Sequence, residues 1–545
     1  PSSRVLLGVR FCATPGRDPL GFSHSHEASR VRIVRPKDPI RVLVAVSAVR
    51  SGLENGSARM KEYESRSVLR KLPVDHIEEV EEESHVGHLA KSLGLWQLTA
   101  IGVGGIIGVG IFSLAGLVAH GDADNPGVGP AVLVAFLIAG LASAAAALSY
   151  AEFAGMIPRA GSAYTYGYVA LGELVGWFIG WDLLLEYIAI VAVVAIGISG
   201  YLGAFLSGFG IELPLAITAS AEEGGVVNIP AVVICLVVTF ILSLGTKTFG
   251  RFELIAVGIK IVLILFIIGL GIFYIDTANY NPFMPAGFGP VLTGAATVFF
   301  AVFGYDAMST AAEEATDGQK HMPKAIILSL IIAMTLYVAA TLVLTGMQNY
   351  TEIDPEAGFA SAFTSVGLPV IASIISVFAV LSIMTVMLTF LLGVTRVWFS
   401  MSRDGLLPLW FAKVDEHGTP QRVTWIAGVG AALLAGVFPI RQVADLTNIG
   451  ILSAFVVVCV AVIFFRYTRP NAPRSFRLPL MPVVPAFGVL ASLFLILQLQ
   501  WQTWVRFAVW LVIGLIIYFA YGRKHSLLSP DSPLHQRAPA SGTQQ

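Results

Sequence analysis

From about residue 95 to residue 521 the chain is a succession of apolar runs, each long enough to cross a lipid bilayer. A hydrocarbon core about 30 Å thick needs about 20 helical residues to span it. The runs fall near 95–119, 130–156, 171–203, 229–246, 252–275, 291–312, 325–348, 366–400, 423–439, 443–465, 482–500 and 503–521. Hydrocarbon offers no water to backbone N–H and C=O groups, so each run must close its own hydrogen bonds as a helix. The expected fold is an all-α integral membrane protein with twelve transmembrane helices. Composition agrees, since only 13% of the 545 residues are charged, where a soluble protein carries about a quarter.

Several function classes fall away at this point. A net charge of −1 excludes a global basic surface for nucleic acid. Cys12, Cys235 and Cys459 are far apart, and the ten histidines form no H-x-x-x-H pair. Neither a disulfide framework nor a metal site is expected. No phosphate-binding G-x-x-x-x-G-K-[ST] loop occurs; near Gly245-Thr-Lys-Thr, Phe240 stands where the first glycine belongs. No cofactor and no ATP-driven pump are expected, and the partners that remain are the bilayer and a small molecule.

Residues 1–59 differ from the rest, with ten arginines and lysines against four acids. They lack the amphipathic repeat of a transit peptide. The expectation is a translation start at Met60, the first methionine, with 1–59 disordered if made. Residues 60–94 are acidic, including Glu78, Glu79 and Glu81 to Glu83, and suit a solvated cytoplasmic segment. Residues 522–545 read as a cytoplasmic tail.

Orientation follows from lysine and arginine in the short loops. With the amino terminus inside, the inner loops carry Arg159, Lys247, Arg251, Lys320, Lys324, Arg396, Arg403, Lys413, Arg422, Arg466, Arg469, Arg474 and Arg477. The outer side has Arg441 and Arg506, with acids such as Asp122, Asp124, Glu222, Glu223, Glu352 and Asp354. Both termini are therefore expected in the cytoplasm, in a plasma or inner membrane.

The first run contains GVGGIIGVGIFSLAG at 102–116, with glycine at 102, 104, 105, 108 and 110. Gly104 and Gly108 have the small-xxx-small spacing of a helix contact face. A dinucleotide fingerprint would need a preceding strand, which is missing. The third reading is a discontinuous helix whose exposed backbone groups meet a polar substrate. The sixth run favours it. FFAVFGYDAMSTAAEEATDG, from Phe299, places Gly304, Tyr305 and Asp306 midway through an apolar helix. An aspartate there costs about 2.5–3.5 kcal/mol unless it faces protein or water. Paired interruptions five helices apart point to a secondary transporter with inverted repeats.

GVGGIIGVGIF, FFAVFGYDAMSTAAEE with the following Pro323-Lys-Ala-Ile, and Met401-SRDGLLP together resemble the amino acid–polyamine–organocation superfamily. Within it they resemble the bacterial group similar to cationic amino acid transporters, over roughly residues 80–521. The resemblance implies a LeuT-type fold: inverted five-helix repeats at 95–275 and 291–465, helices 1 and 6 broken, and two peripheral helices at 482–521. It also implies amino acid transport.

By that similarity, the N–H groups of Val109 and Gly110 would hold the substrate carboxylate. The carbonyls of Ile106, Phe300, Ala301 and Phe303 would receive its ammonium. Helix ends suit both charges, since free N–H groups attract anions and free C=O groups attract cations. Gly104, Gly105, Gly108 and Gly304 would open the backbone. Phe300, Phe303 and Tyr305 would wall or gate the site, with ordinary packing the alternative. Asp306 would cap freed backbone or touch substrate. Glu186, in WDLLLEYIAIVAVV, borders the side-chain pocket in the family and would meet a cationic tail or hydrogen-bond locally while protonated. Asp182 reads as structural.

Lys260 stands alone in FELIAVGIKIVLILFIIG, nine residues past Arg251 and so about 13 Å deep. Burial disfavours an ammonium, which makes Lys260 a candidate proton carrier, with bracing alone as the alternative. Proton-coupled relatives carry a lysine there in place of sodium. Glu313, Glu314 and Asp317 are expected to pair with basic residues such as Arg403 or Arg159. The cluster Arg466, Arg469, Arg474 and Arg477 reads as a topology determinant beside anionic headgroups.

The expected function is a proton-coupled importer of neutral or cationic amino acids working by alternating access. An exchanger without ion coupling is the alternative. An enzyme would need convergent catalytic clusters at membrane depth, whereas Asp306, Glu186 and Lys260 are isolated in sequence.

Overall fold

The computed structural model describes residues 70–71, 93–108, 110–121, 126–159, 161–207, 210–244, 246–355, 357–414, 420–529 and 532. Residues 1–59, Met60 and most of the 60–94 segment lie outside the described residues, as do Val109, Asp122 and Asp124.

Every apolar run coincides with helix. In chain order these are α1 (Leu95–Ile106) and α2 (Ala115–His120), α3 (Val132–Met156), α4 (Ala163–Ala170), α5 (Glu173–Ser207), α6 (Ile229–Ser243) and α7 (Thr246–Gly271). There follow α8 (Phe288–Val298) and α9 (Tyr305–Ser309), α10 (Gly318–Met347), α11 (Gly358–Ser365), α12 (Pro369–Arg403), α13 (Gln421–Val437), α14 (Ile440–Thr468), α15 (Val483–Leu497) and α16 (Trp501–Ile517). Among the described residues, nine helical segments are long and apolar enough to cross a membrane. The runs at α6, α13 and α15 are shorter, at 15, 17 and 15 residues. The chain is a multi-pass, all-helical membrane protein.

α5 and α12, each of 35 residues, pack on one another at the centre. α1 and α3 pack on α10, and α14 packs on α5. α7 sits at the margin with about a third of its apolar window buried, so it offers the bundle one narrow face. That face carries Glu253, Val257, Lys260, Ile264 and Ile267, the alternating spacing of four and three expected of a single helical stripe.

One end of the bundle is closed by charge. Glu314 accepts from Arg396 at 3.0 Å, and Glu313 pairs with Arg403 at 3.0 Å. Asp317 pairs with Lys320 at 3.1 Å. The Glu313 partner is the one expected; Arg159 instead lies 3.8 Å from Asp404. The chain entering α1 joins this seam, since Leu93 N–H donates to Glu314 O and Thr316 N–H to Leu93 O, both at 2.9 Å.

Two expectations change here. Arg466 and Arg474 do not serve lipid headgroups but share Glu152, buried in the last turn of α3. Arg474 Nε donates to Glu152 Oε1 at 2.9 Å, Arg466 Nε to the same oxygen at 3.1 Å, and Leu478 N–H to Oε2 at 2.8 Å. The reason is burial: a carboxylate out of water must find cations within the protein. Glu152→Ala would strand those groups, and a loss of about 3–5 kcal/mol is expected, as for breaking a buried ion pair; thermal unfolding in detergent measures it. Second, Arg70 is no solvated tail residue. Its guanidinium donates to buried Glu173 at 2.8 Å and to Leu528 O at 3.0 Å, which docks the segments before α1 and after α16 on the start of α5.

Candidate functional site: two helix breaks braced by a buried lysine

α1 stops at Ile106. Ile107 leaves helical geometry with φ −80° and ψ 108°. A wide turn at Gly110–Leu114 then leads into α2. The carbonyl of Gly108 accepts from Ile111 N–H at 3.3 Å and from Phe112 N–H at 3.4 Å. α8 likewise tightens at Phe299–Ala301 and unwinds at Val302 before α9 begins.

The two breaks face each other. Gly304 has φ +125°, and a Cβ there would lie 2.6 Å from the carbonyl carbon of Gly105. A Cβ on Gly110 would lie 2.2 Å from that of Ala301. Only glycine allows backbone contact this close. Asp306 caps the second break: its Oδ1 accepts from Gly304 N–H at 3.0 Å, while Tyr187 donates to Oδ2 at 2.7 Å. In a continuous helix that Gly304 amide would bond the Phe300 carbonyl, so the cap frees an acceptor at the break.

Lys260 is 1% exposed and ties α7 and α12 to the first break. Its Nζ donates to Gly104 O at 3.0 Å, to Ile107 O, and to Thr385 Oγ1 of α12 at 2.6 Å. It is not alone on its helix. Glu253, seven residues earlier on the buried stripe, accepts from Thr389 at 3.3 Å, and its Oε2 has no hydrogen-bond partner among the described residues.

The other sequence-predicted residues are distributed as follows. The Ile106 carbonyl accepts from Tyr337 at 2.7 Å. Phe300 stacks edge-on to Phe303 with centroids 5.4 Å apart, and Phe303 contacts Phe390 at 5.5 Å. Tyr305 lies in an aromatic cluster with Tyr150 and Phe455, its hydroxyl 3.0 Å from Ser143 O. Glu186 and Asp182 are one turn apart on α5, fully buried against Gly450 of α14, and no carboxyl oxygen of either has a hydrogen-bond partner among the described residues. Gly104 and Gly105 meet Glu253 and Gly304, and Gly108 meets Val386. Val109 lies outside the described residues.

A cavity of about 1240 Å³ reaches this region from the end of the bundle opposite the charged seam. Phe300 forms part of its lining, with Leu114, Val193, Ile196, Ala444 and Asn448 among the surrounding walls. Glu186, Phe303 and Tyr305 are not in the lining. Sequence reasoning missed Tyr187, Tyr337, Thr385 and Glu253. Only Glu253 had a local signal, its helical spacing to Lys260.

Comparison with known proteins adds the family. The sequence model described as amino acid permease matches residues 93–520. A branched-chain amino acid permease of Bacillus subtilis is 45% identical over 85% of this chain and 99% of its own length. A methylthioribose transporter of the same organism is 44% identical over the same shares. The vacuolar cationic amino acid transporter 4 of Arabidopsis thaliana is 28% identical over 85% of this chain and 96% of its own. With its opposed helix breaks and this match along almost the whole apolar region, the chain belongs to the amino acid permease family of membrane transporters, and is not an enzyme.

Proposed function

We propose that this protein is a proton-coupled secondary transporter that imports amino acids by alternating access, with neutral apolar side chains preferred. The observation that carries the reading is Lys260: a buried ammonium bonded to two carbonyls of the first break and to α12. A cation there braces α7 against α1 as long as it holds its proton. Losing the proton removes the charge from those bonds, so occupancy by a proton and movement of α1 are linked free energies.

The reading includes a LeuT-type arrangement of twelve spans, with α1 to α7 and α8 to α14 as inverted repeats and α15 and α16 peripheral. Both termini would be cytoplasmic, in a plasma or inner membrane, which makes the charged seam the inner gate and the cavity the outer vestibule. Amides at Val109 and Gly110 would take the substrate carboxylate, and the carbonyls of Ile106, Phe300, Ala301 and Phe303 its ammonium. Phe300 supports this role by lining the cavity at the break. The walls Leu114, Val193, Ile196 and Ala444 suit an apolar side chain, although Glu212, Glu223 and Asp445 share the lining, and the branched-chain permease similarity favours the uncharged reading. Glu186 would serve a cationic tail, supported by its carboxyl oxygens having no hydrogen-bond partner among the described residues.

Uptake into proteoliposomes tests this. Labelled L-isoleucine, L-leucine and L-valine are expected to enter faster with an acid exterior than at equal pH, and L-arginine is expected to compete weakly. Uptake only against a preloaded amino acid would identify an exchanger, and no uptake of any amino acid would overturn the reading.

A further inference from the structure

The buried face of α7 carries two ionisable groups, and the bracing described above uses only Lys260. Glu253 lies about 10 Å earlier along the helix at 1.5 Å per residue, yet both side chains reach the same residue of α1. Lys260 donates to the carbonyl of Gly104, and Glu253 Oε1 lies where a Cβ on Gly104 would be, 2.1 Å from that position. The absent side chain of Gly104 is what admits the carboxyl.

Among the described residues Glu253 has no ion-pair partner: its Oε1 accepts from Thr389 and its Oε2 has no hydrogen-bond partner. α1 carries no titratable side chain. α12 faces it with Thr389, and the arginines of that helix, Arg396 and Arg403, are held by Glu314 and Glu313. On α10, Tyr337 is committed to the Ile106 carbonyl, Lys320 pairs with Asp317, and His321 and Lys324 lie near the start of the helix, Lys324 exposed. Lys260 shares the buried stripe of α7 with Glu253, and among the described residues the two make no direct ion pair. Glu253 is also displaced from Lys260 toward the end of α7 that begins at Thr246, the end expected to face the cytoplasm.

We propose that Glu253 is the acceptor through which Lys260 discharges its proton toward the cytoplasmic end, a role that rests on the proton-coupled reading above. Among the described residues the two groups are not bonded directly. The proton therefore leaves the Lys260 ammonium for a water admitted beside Gly104, and that water protonates the Glu253 carboxylate, leaving a neutral amine and a neutral carboxyl. The charge-assisted bonds to Gly104 and Ile107 weaken, and α1 is freed from α7. The carboxyl then releases the proton to water when the inner seam opens. Because two opposite charges become two neutral groups, the transfer leaves no net charge stranded in the low-dielectric interior.

The test uses the full chain in proteoliposomes with labelled L-isoleucine and L-arginine as probes. The readout is the ratio of uptake with an acid exterior to uptake at equal pH. In Glu253→Gln the ratio is expected to fall about tenfold, the effect of about 1.4 kcal/mol of lost coupling, and Glu253→Asp, which keeps the carboxyl, is expected to recover part of it with a displaced pH profile. A wild-type ratio in Glu253→Gln overturns this inference alone. Should the glutamine variant fail to fold, an unchanged pH profile in Glu253→Asp overturns it. A wild-type protein that ignores the gradient removes the proton-coupled reading and this inference together.

Discussion

Lys260→Gln is expected to abolish gradient-driven uptake, with a fall of at least about a hundredfold. The ammonium makes three hydrogen bonds, to Gly104, Ile107 and Thr385, and the shorter amide cannot reach all three. Charge-assisted bonds contribute about 1.5–3 kcal/mol each, and unsatisfied buried acceptors cost about as much. Losing even about 3 kcal/mol of differential bracing shifts a two-state population by roughly a hundredfold. The pH dependence should vanish with the rate, because the neutral amide holds no proton to lose. Initial rates across a pH series check this. A variant that transports at the wild-type rate with the wild-type pH profile would show that Lys260 is neither a brace nor a proton carrier, and a slowed variant that keeps the wild-type pH profile would leave it a brace alone.

Gly304→Ala is expected to be at least as damaging, for a different reason. At φ +125° an L side chain is strained, and such conformations cost about 1–3 kcal/mol. The added Cβ would also lie 2.6 Å from Gly105 C and 2.7 Å from Ile106 N, which are backbone atoms that cannot swing aside. The second break would have to withdraw from the first, separating the two surfaces of the proposed substrate site. A fall in thermal stability of several kcal/mol, about 3 or more, and loss of uptake are expected together. Gly258→Ala is the control: nothing lies within 4 Å of a Cβ there, on the exposed face of α7. It should be neutral or gain up to about 1 kcal/mol from helix propensity. Unfolding followed by tryptophan fluorescence in detergent separates the two variants.

Much of the architecture was legible because membrane insertion imposes length and composition on each span separately. The break in α1 was visible as a density of glycine, and that in α8 as Gly304-Tyr305-Asp306 within an apolar run. What those breaks touch was not visible. Thr385 reaches Lys260 from 125 residues away along the chain, and Tyr337 reaches the first break from 231; no local pattern records such contacts. Arg466 in the last turn of α14 and Arg474 beyond it failed for the same reason: read alone they suit a lipid surface, and only folding brings Glu152 to them. Glu253 is the instructive miss. Its spacing to Lys260 puts both on one helical stripe, but the sequence reading singled out Lys260 and passed over Glu253. Burial of that face against α1 and α12 made the difference.

The central claim is that a proton accompanies the amino acid. Proteoliposomes holding a pH-sensitive dye and supplied with labelled L-isoleucine measure both fluxes at once. The account predicts internal acidification that begins with substrate addition, scales with label uptake, and disappears in Lys260→Gln. Label accumulating in wild-type vesicles with no change in internal pH would contradict it.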